Sequence, residues 1–423
     1  VNRPTPASPA TRSVQEQARD ARQAASILHH TPDDARRAAL RAMATAIGDR
    51  QEEILRANRQ DLECLTDRPA AFRDRLTLTP PRIAGLVRAL REIAELPDPV
   101  GRVVDSRRRP DGLEIRRIRV PIGVIAMIYE SRPNVTVDAA GLCLRAGNAV
   151  ILRGGAESLR SDQALLGAIH AGLAAAGLPR AAVTLLERRD YDAIRELVGL
   201  HGLVDLVIPR GGEPLIRFVA EHARVPVLRH EKGVTHLFID RSADPEMAVR
   251  LALNAKTNRP STCNALETLL VDREVADRIL PPLVAALREA GVEVRGCPAT
   301  RAHVPEVRPA TEEDWSAEYL DLILAVRVVD GLEGALAHIR AYSTGLADGI
   351  VTQDRERAER FVREVDSAAV LVNASTRLVD GGEFGLGAEV GISTSRLHAR
   401  GPMGVEDLTT TKWVVWGSGQ VRA

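Results

Sequence analysis

From residue 121 onward, short β-branched runs alternate with Ala- and Leu-rich stretches, and this alternation constrains the fold more than any other feature of the chain. Residues 124–129, 149–152, 183–186 and 203–208 have the length and composition of strands, and the stretch 161–176 between them has that of a helix. A strand–helix–strand succession requires right-handed crossovers and leaves its strands parallel, so these residues predict a doubly wound, nucleotide-binding α/β domain. After residues 225–228 a second alternation starts at 235–240 and continues through 265–271, 322–329, 350–352 and 370–373. Two parallel-sheet domains follow, 1–234 and 235–385, with residues 386–423 as a C-terminal return. The groove between the two domains is where a cofactor and a reactive group are expected to meet.

Upstream of the first strand the periods differ. Residues 13–65 carry apolar positions at helical spacing, such as Leu40, Met43, Ala44 and Ile47, with Asp33 and Asp34 acidic at a helix start, and predict two or three amphipathic helices. The stretch 106–121 has a Pro110-Asp111-Gly112 turn followed by alternating residues, which predicts a hairpin. Its run Arg107-Arg108-Arg109 reads as a solvated or intersubunit face. The first ten or so residues, rich in Pro, Ser and Thr, read as disordered.

Charge excludes some partners. With 57 basic and 57 acidic residues among 423, no net field favours nucleic acid or a membrane surface over a small molecule. Arg supplies almost all the positive charge; Lys occurs only at 232, 256 and 412, and each lysine reads equally well as a surface residue. No apolar run approaches the roughly 18 residues of a membrane span. Four scattered cysteines without a CxxC pair argue against a metal site or a disulfide framework and for a reducing, cytoplasmic setting.

Among the cysteines, Cys263 stands apart. It lies in the run Asn258-Arg259-Pro260-Ser261-Thr262-Cys263-Asn264, a polar, loop-forming stretch that leads straight into an apolar strand. That arrangement presents a thiol at the edge of a packed sheet. A free thiol has a pKa near 8.5, so only about 3% is thiolate at neutral pH unless a cation or a helix terminus lowers it, and Arg259 is adjacent. Cys143 and Cys64 sit in helical stretches and read as core filler; Cys297, beside Pro298, says little.

Two glycine pairs follow predicted strands: Arg153-Gly154-Gly155 and Arg210-Gly211-Gly212. Each lets backbone approach a ligand at the C-terminal edge of a sheet, and the second leads into a helix starting near Pro214, whose free N–H groups suit an anion. A glycine pair after a strand is often only a turn; two in one sheet, each beside an Arg, predict phosphate contact, and Arg153 suits a ribose 2′-phosphate, hence NADPH (NADP+).

The run Pro121-Ile122-Gly123-Val124-Ile125-Ala126-Met127-Ile128-Tyr129-Glu130-Ser131-Arg132-Pro133-Asn134, with Arg145-Ala146-Gly147-Asn148 behind it, resembles the γ-glutamyl phosphate reductase family of the aldehyde dehydrogenase superfamily. So do Asn254 to Ala265 around the thiol, Gly391 to Gly404 near the end, and Ala57-Asn58 with Asp61-Leu62-Glu63 near the start, so the likeness spans nearly the whole chain. The resemblance implies an aldehyde-dehydrogenase-like α/β fold with a cofactor domain, a catalytic domain bearing the cysteine, and an oligomerisation hairpin and tail. It implies reduction of L-glutamyl 5-phosphate to L-glutamate 5-semialdehyde, the second step from glutamate toward proline, through a Cys263 thioester. It further implies a homo-oligomer, dimer or tetramer, fed by a separate glutamate 5-kinase. By the same likeness Glu318 is expected near the nicotinamide ribose and Ser131 or Asn134 at the oxyanion, while Arg132, Asn258, Arg259 and Arg400 are expected at the substrate.

Two stretches depart from the superfamily pattern. Hydrolytic aldehyde dehydrogenases carry Glu-Leu-Gly-Gly where this chain has Arg229-His230-Glu231-Lys232-Gly233, which favours phosphate over water as the exchanging group; Glu231 is one position off. The alternative reading is nevertheless a hydrolytic enzyme acting on another small aldehyde, and a third is a non-catalytic assembly protein on the same fold. Leu346 stands where family members commonly have a His.

Overall fold

The computed structural model describes residues 12–65, 70–130, 132–229 and 232–422. The first ten or so residues, expected to be disordered, lie outside these, as do Ser131, His230 and Glu231. The chain forms two compact units. One comprises the chain up to Leu228 with Leu386–Gly391 and the stretch from Met403; the other comprises Arg229–Gly385 with Ile392–Pro402.

The first unit begins with three amphipathic helices, α1 (Val14–His29), α2 (Asp33–Asp49) and α3 (Gln51–Glu63), followed by α4 (Ala70–Leu76) and α5 (Pro80–Glu95). Ser13 caps α1 and Glu16 reaches back to its backbone, a reciprocal cap that satisfies two otherwise free N–H groups. The predicted hairpin is β1 (Val103–Arg108) and β2 (Glu114–Pro121), turning at Gly112, whose φ of +86° suits glycine. A C-terminal strand, Thr409–Trp416, pairs antiparallel with the other edge of β2.

The parallel sheet of this unit contains β3 (Val124–Tyr129), β4 (Ala149–Arg153), β5 (Val183–Leu185) and β6 (Leu206–Arg210) in the order β5-β4-β3-β6. Its crossovers are α6 (Pro133–Arg145), α7 (Leu159–Ala175) and α8 (Tyr191–Val198), and α9 (Glu213–His222) follows β6. Every residue of β3 and β4 is buried, which is why these strands read as unbroken apolar runs. The expected strand at 203–208 starts later, because Leu203 and Val204 close a tight turn onto Leu200. It also runs on through Pro209, which an edge strand tolerates.

The second unit is a seven-stranded, all-parallel sheet in the order β10-β9-β11-β8-β7-β12-β13. Its strands are β7 (Thr235–Ile239), β8 (Leu266–Asp272), β9 (Glu293–Gly296), β10 (Arg308–Pro309), β11 (Ile323–Val329), β12 (Ala347–Val351) and β13 (Ala369–Val372). The helices are α10 (Pro245–Thr257), α11 (Ala276–Glu289), α12 (Pro298–His303), α13 (Gly331–Tyr342) and α14 (Arg355–Glu364). β7 and β8 are buried throughout, and their Leu, Val, Ile and Phe side chains each contribute about 1.5–3 kcal/mol of burial.

Much of the motif-bearing sequence is scaffold. Asn58 accepts from Leu78 N–H at 2.7 Å and donates to Leu76 carbonyl at 2.9 Å, and Asp61 accepts from the Ser161 N–H at 2.8 Å and hydroxyl at 2.7 Å, tying α3 to α7. Asn148 accepts from Gly123 N–H at 2.8 Å and donates to Leu408 carbonyl at 2.7 Å, so it joins the β3 entry to the C-terminal strand. Buried Arg145 pairs with Asp33.

Candidate active site

In the second unit, the loop between α10 and β8 carries the thiol. Thr262 donates twice to the Arg259 carbonyl, from its N–H at 3.3 Å and its hydroxyl at 2.8 Å, and Ala265 N–H returns to the Thr262 carbonyl at 3.0 Å. These turns hold Cys263 half-buried against an apolar cluster of Leu346, Ala347, Leu371, Val379 and Ile392. Leu346 is thus part of the wall behind the thiol. Beneath the loop, Gly233 lies so close that a Cβ there would fall 2.1 Å from the Cys263 carbonyl oxygen.

The other cysteines differ in setting. Cys143 is fully buried in α6, and burial pushes its thiol pKa up. Cys297 is buried and caps α12, accepting the Thr300 N–H at 3.4 Å. Cys64 is not core filler: it is the residue that caps the C-terminal end of α3, and its side chain is exposed.

One expected substrate residue, Asn258, and the neighbour of the thiol, Asn264, meet around a side chain that sequence reading missed. Arg377, in a short 3-10 turn after β13, donates to Asn258 Oδ1 at 3.2 Å and also to Asn264 Oδ1, while Asn264 donates to the Val379 carbonyl at 2.8 Å. The signal was slight, since Asn373-Ala374-Ser375-Thr376-Arg377 reads as no more than a strand end. Arg259 is exposed on the loop. Glu318 accepts the Gly233 N–H at 2.9 Å, which brings it to the glycine under Cys263. Arg400 is instead forked onto Asp366, donating at 2.8 Å to its carboxylate and at 2.8 Å to its carbonyl; with Arg396 it holds that carboxyl below its usual range.

In the first unit, Arg132 occupies the cap position of α6, and Asn134 in the first turn donates to Asp138 at 3.0 Å. Burial raises the Asp138 pKa to about 6, against the pull of Asn134 and Arg210. Arg153 closes β4 and is 6% exposed; it donates to the Arg189 carbonyl, and its buried Nε has no partner among the described residues. Arg189 in turn donates to the Gly154 and Gly155 carbonyls at 3.1 and 2.6 Å and to Asp162 at 3.1 Å. At the end of β6, Gly212 N–H, opening α9, donates to Glu130 at 3.0 Å, so an internal carboxylate sits where an anion was expected. A Cβ on Gly211 would fall 2.5 Å from the same carboxylate, and Arg210 lies against Gly391. No described helix is long and apolar enough to cross a membrane.

Known proteins share this pattern. The model of the aldehyde dehydrogenase family matches residues 5–302. The gamma-glutamyl phosphate reductase of Xanthomonas campestris pv. campestris (strain 8004) is 55% identical over 403 residues, covering 95% of this chain and 97% of its own length. The crystal structure of gamma-glutamyl phosphate reductase from Thermotoga maritima is 47% identical with a TM-score of 0.94, over 97% of this chain and 100% of that one. The enzyme of that description from Saccharomyces cerevisiae is 30% identical with a TM-score of 0.55, over 98% and 99%.

Proposed function

The chain belongs to the aldehyde dehydrogenase family, and from that premise we propose that it is an oxidoreductase converting L-glutamyl 5-phosphate to L-glutamate 5-semialdehyde and phosphate, with NADPH as reductant. The observation that carries this reading is the seat of Cys263: a half-buried thiol on a short, hydrogen-bonded loop, with an apolar wall behind it. Its thiolate attacks the acyl carbon of the mixed anhydride, the C–O bond to phosphate breaks, and phosphate leaves with that electron pair. A thioester remains on Sγ. NADPH, when bound, supplies the hydride that takes the thioester to the thiohemiacetal level. Release of the aldehyde returns the thiol.

Negative charge gathers on the same carbonyl oxygen in both halves, so two donors are required. The Cys263 backbone N–H is one; the other is assigned to Asn134 or to Ser131, which lies outside the described residues. Loss of one such donor costs about 10² to 10³ in rate. Arg132, Arg259 and Arg400 are assigned to the anionic ends of the substrate and Asn258 to its amino-acid end. For Arg400 this means exchanging Asp366 for a substrate carboxylate.

The residues of the first unit suit a dinucleotide with phosphates. The Arg153 Nε, buried and without a partner among the described residues, supports this. Arg153, Gly154, Gly155, Arg210, Gly211 and Gly212 would hold it, with Glu318 at the nicotinamide ribose. Phosphate, and not water, exchanges on the thioester, so no water-activating base is needed.

The product feeds proline biosynthesis in the cytoplasm, and a separate glutamate 5-kinase supplies the labile acyl phosphate. Four free cysteines support a reducing compartment. A homo-oligomer, dimer or tetramer, is supported by the three-stranded sheet, which leaves Val103 (47%), Trp413 (54%) and Trp416 (64%) exposed. The test is the reverse reaction with glutamate 5-semialdehyde, NADP+ and phosphate. NADPH formation that requires phosphate supports the reading; formation at the same rate without phosphate indicates a hydrolytic enzyme.

A further inference from the structure

The loop carrying Cys263 leaves the last turn of α10 and enters β8, and its two ends are joined by a buried ion pair. Lys256 on α10 and Glu267 on β8 are both fully buried, with Nζ and Oε2 2.6 Å apart. Of the three lysines in the chain, this one is therefore no surface residue. A buried pair contributes little net stability, because desolvation of two ions offsets their attraction and a well-packed apolar pair often serves as well. Their chain neighbours Ala255 and Leu266 belong to an apolar core of mostly Leu, Val and Ala, so packing alone gives no reason for charges here.

The pair leads back to the thiol by a second route. The other Glu267 oxygen accepts the Leu320 N–H at 3.2 Å, and Leu320 sits at φ +53°, a left-handed conformation unfavourable for a leucine. Tyr319 beside it is held between Lys256 and Arg295, 5.8 and 5.3 Å from its ring, with its hydroxyl on Asp314 at 2.6 Å. Two residues earlier, Glu318 accepts the Gly233 N–H at 2.9 Å, and Gly233 lies against the Cys263 backbone. The contacts form a closed ring: Cys263 loop, Glu267, residues 318–320, Gly233, Cys263.

We propose that Lys256 and Glu267 are positioning residues, which lock both ends of the nucleophile loop and, through Leu320, hold Glu318 and Gly233 in register with Cys263. This rests on Cys263 being the nucleophile. A displacement of about 1 Å at a reacting atom costs on the order of 10² in rate, so a misset ring slows turnover.

The test uses the full chain and three variants: Glu267→Gln, Lys256→Met and the double Lys256→Met/Glu267→Leu, which removes both charges and keeps the site filled. The double variant is expected to keep the wild-type melting temperature within a few degrees. Its kcat is expected to fall at least tenfold, by a larger factor than KM changes, and alkylation of Cys263 by iodoacetamide is expected to change at least threefold in rate. A double variant with wild-type kcat and alkylation rate overturns the proposal, leaving the pair a structural contact. If the single variants fail to fold, the double variant decides alone. Full activity in Cys263→Ala would instead remove the nucleophile reading, while the alkylation rates would still report whether the pair sets the loop.

Discussion

Gly233 and Cys263 meet backbone to backbone: a Cβ on the glycine would stand 2.1 Å from the cysteine carbonyl oxygen and 2.8 Å from its Cα. Neither obstacle is a side-chain end that can swing aside. Gly233→Ala must therefore push the nucleophile loop outward, at about 1–3 kcal/mol of stability and about 10²-fold in kcat. Steady-state kinetics beside a denaturant titration checks both; an alanine variant with unchanged kcat would show that the loop's position is immaterial to turnover.

The cysteines separate by setting. Cys263→Ala is expected to abolish the reductase while folding normally. Cys143→Ala, in a fully buried site, is expected to lose about 1 kcal/mol and retain activity. Cys64→Ser, at an exposed helix end, should change stability by less than about 0.5 kcal/mol. Activity and melting temperature of the three variants decide.

Asp162 predicts a pH dependence. It is fully buried, and burial raises its pKa from 3.8 to about 7, opposed first by Arg189 and then by Ser158 and Thr136. The folded state thus holds a proton that the unfolded state releases between about pH 4 and 7. Its contribution to stability is greatest below pH 4 and is lost as pH rises through 7. Asp162→Asn should flatten the stability profile in that window, measured as denaturation midpoints against pH. An unaltered slope would mean that Asp162 is ionised throughout.

Arg153→Ala tests the choice of cofactor. A charge-assisted contact to a 2′-phosphate contributes about 1.5–3 kcal/mol, so KM for NADPH should rise roughly 10- to 100-fold while KM for NADH moves little. Equal effects on both cofactors would assign Arg153 to the fold, through its bond to the Arg189 carbonyl.

The alternation of strands and helices was legible because parallel strands buried on both faces cannot hide their composition; β3 spans the six residues expected of it. The strand at 203–208 was misplaced because Leu203 and Val204 are apolar whether they extend or turn, and the turn onto Leu200 is set by hydrogen bonds that composition does not record. At the candidate site the thiol loop stood out by its residue types. Its supports did not: Arg377 reaches Asn258 from 119 positions away, and Gly233 matters for an atom it lacks. The partnership of Arg400 with Asp366 and that of Lys256 with Glu267 are likewise invisible until the chain is folded.

The C-terminal strand carries a consequence for synthesis. It pairs with β2, so that Arg119 donates to a Thr409 hydroxyl 290 positions later, and the whole of the second unit lies between them in the chain. On the ribosome, β2 must wait with one edge open while more than half of the protein is made. At about 5–20 residues per second that wait lasts on the order of 15–60 s. The second unit has no such delay, since its sheet is built from one continuous stretch. The half that begins first is the half that finishes last, and its waiting edge is the natural point for a chaperone to hold.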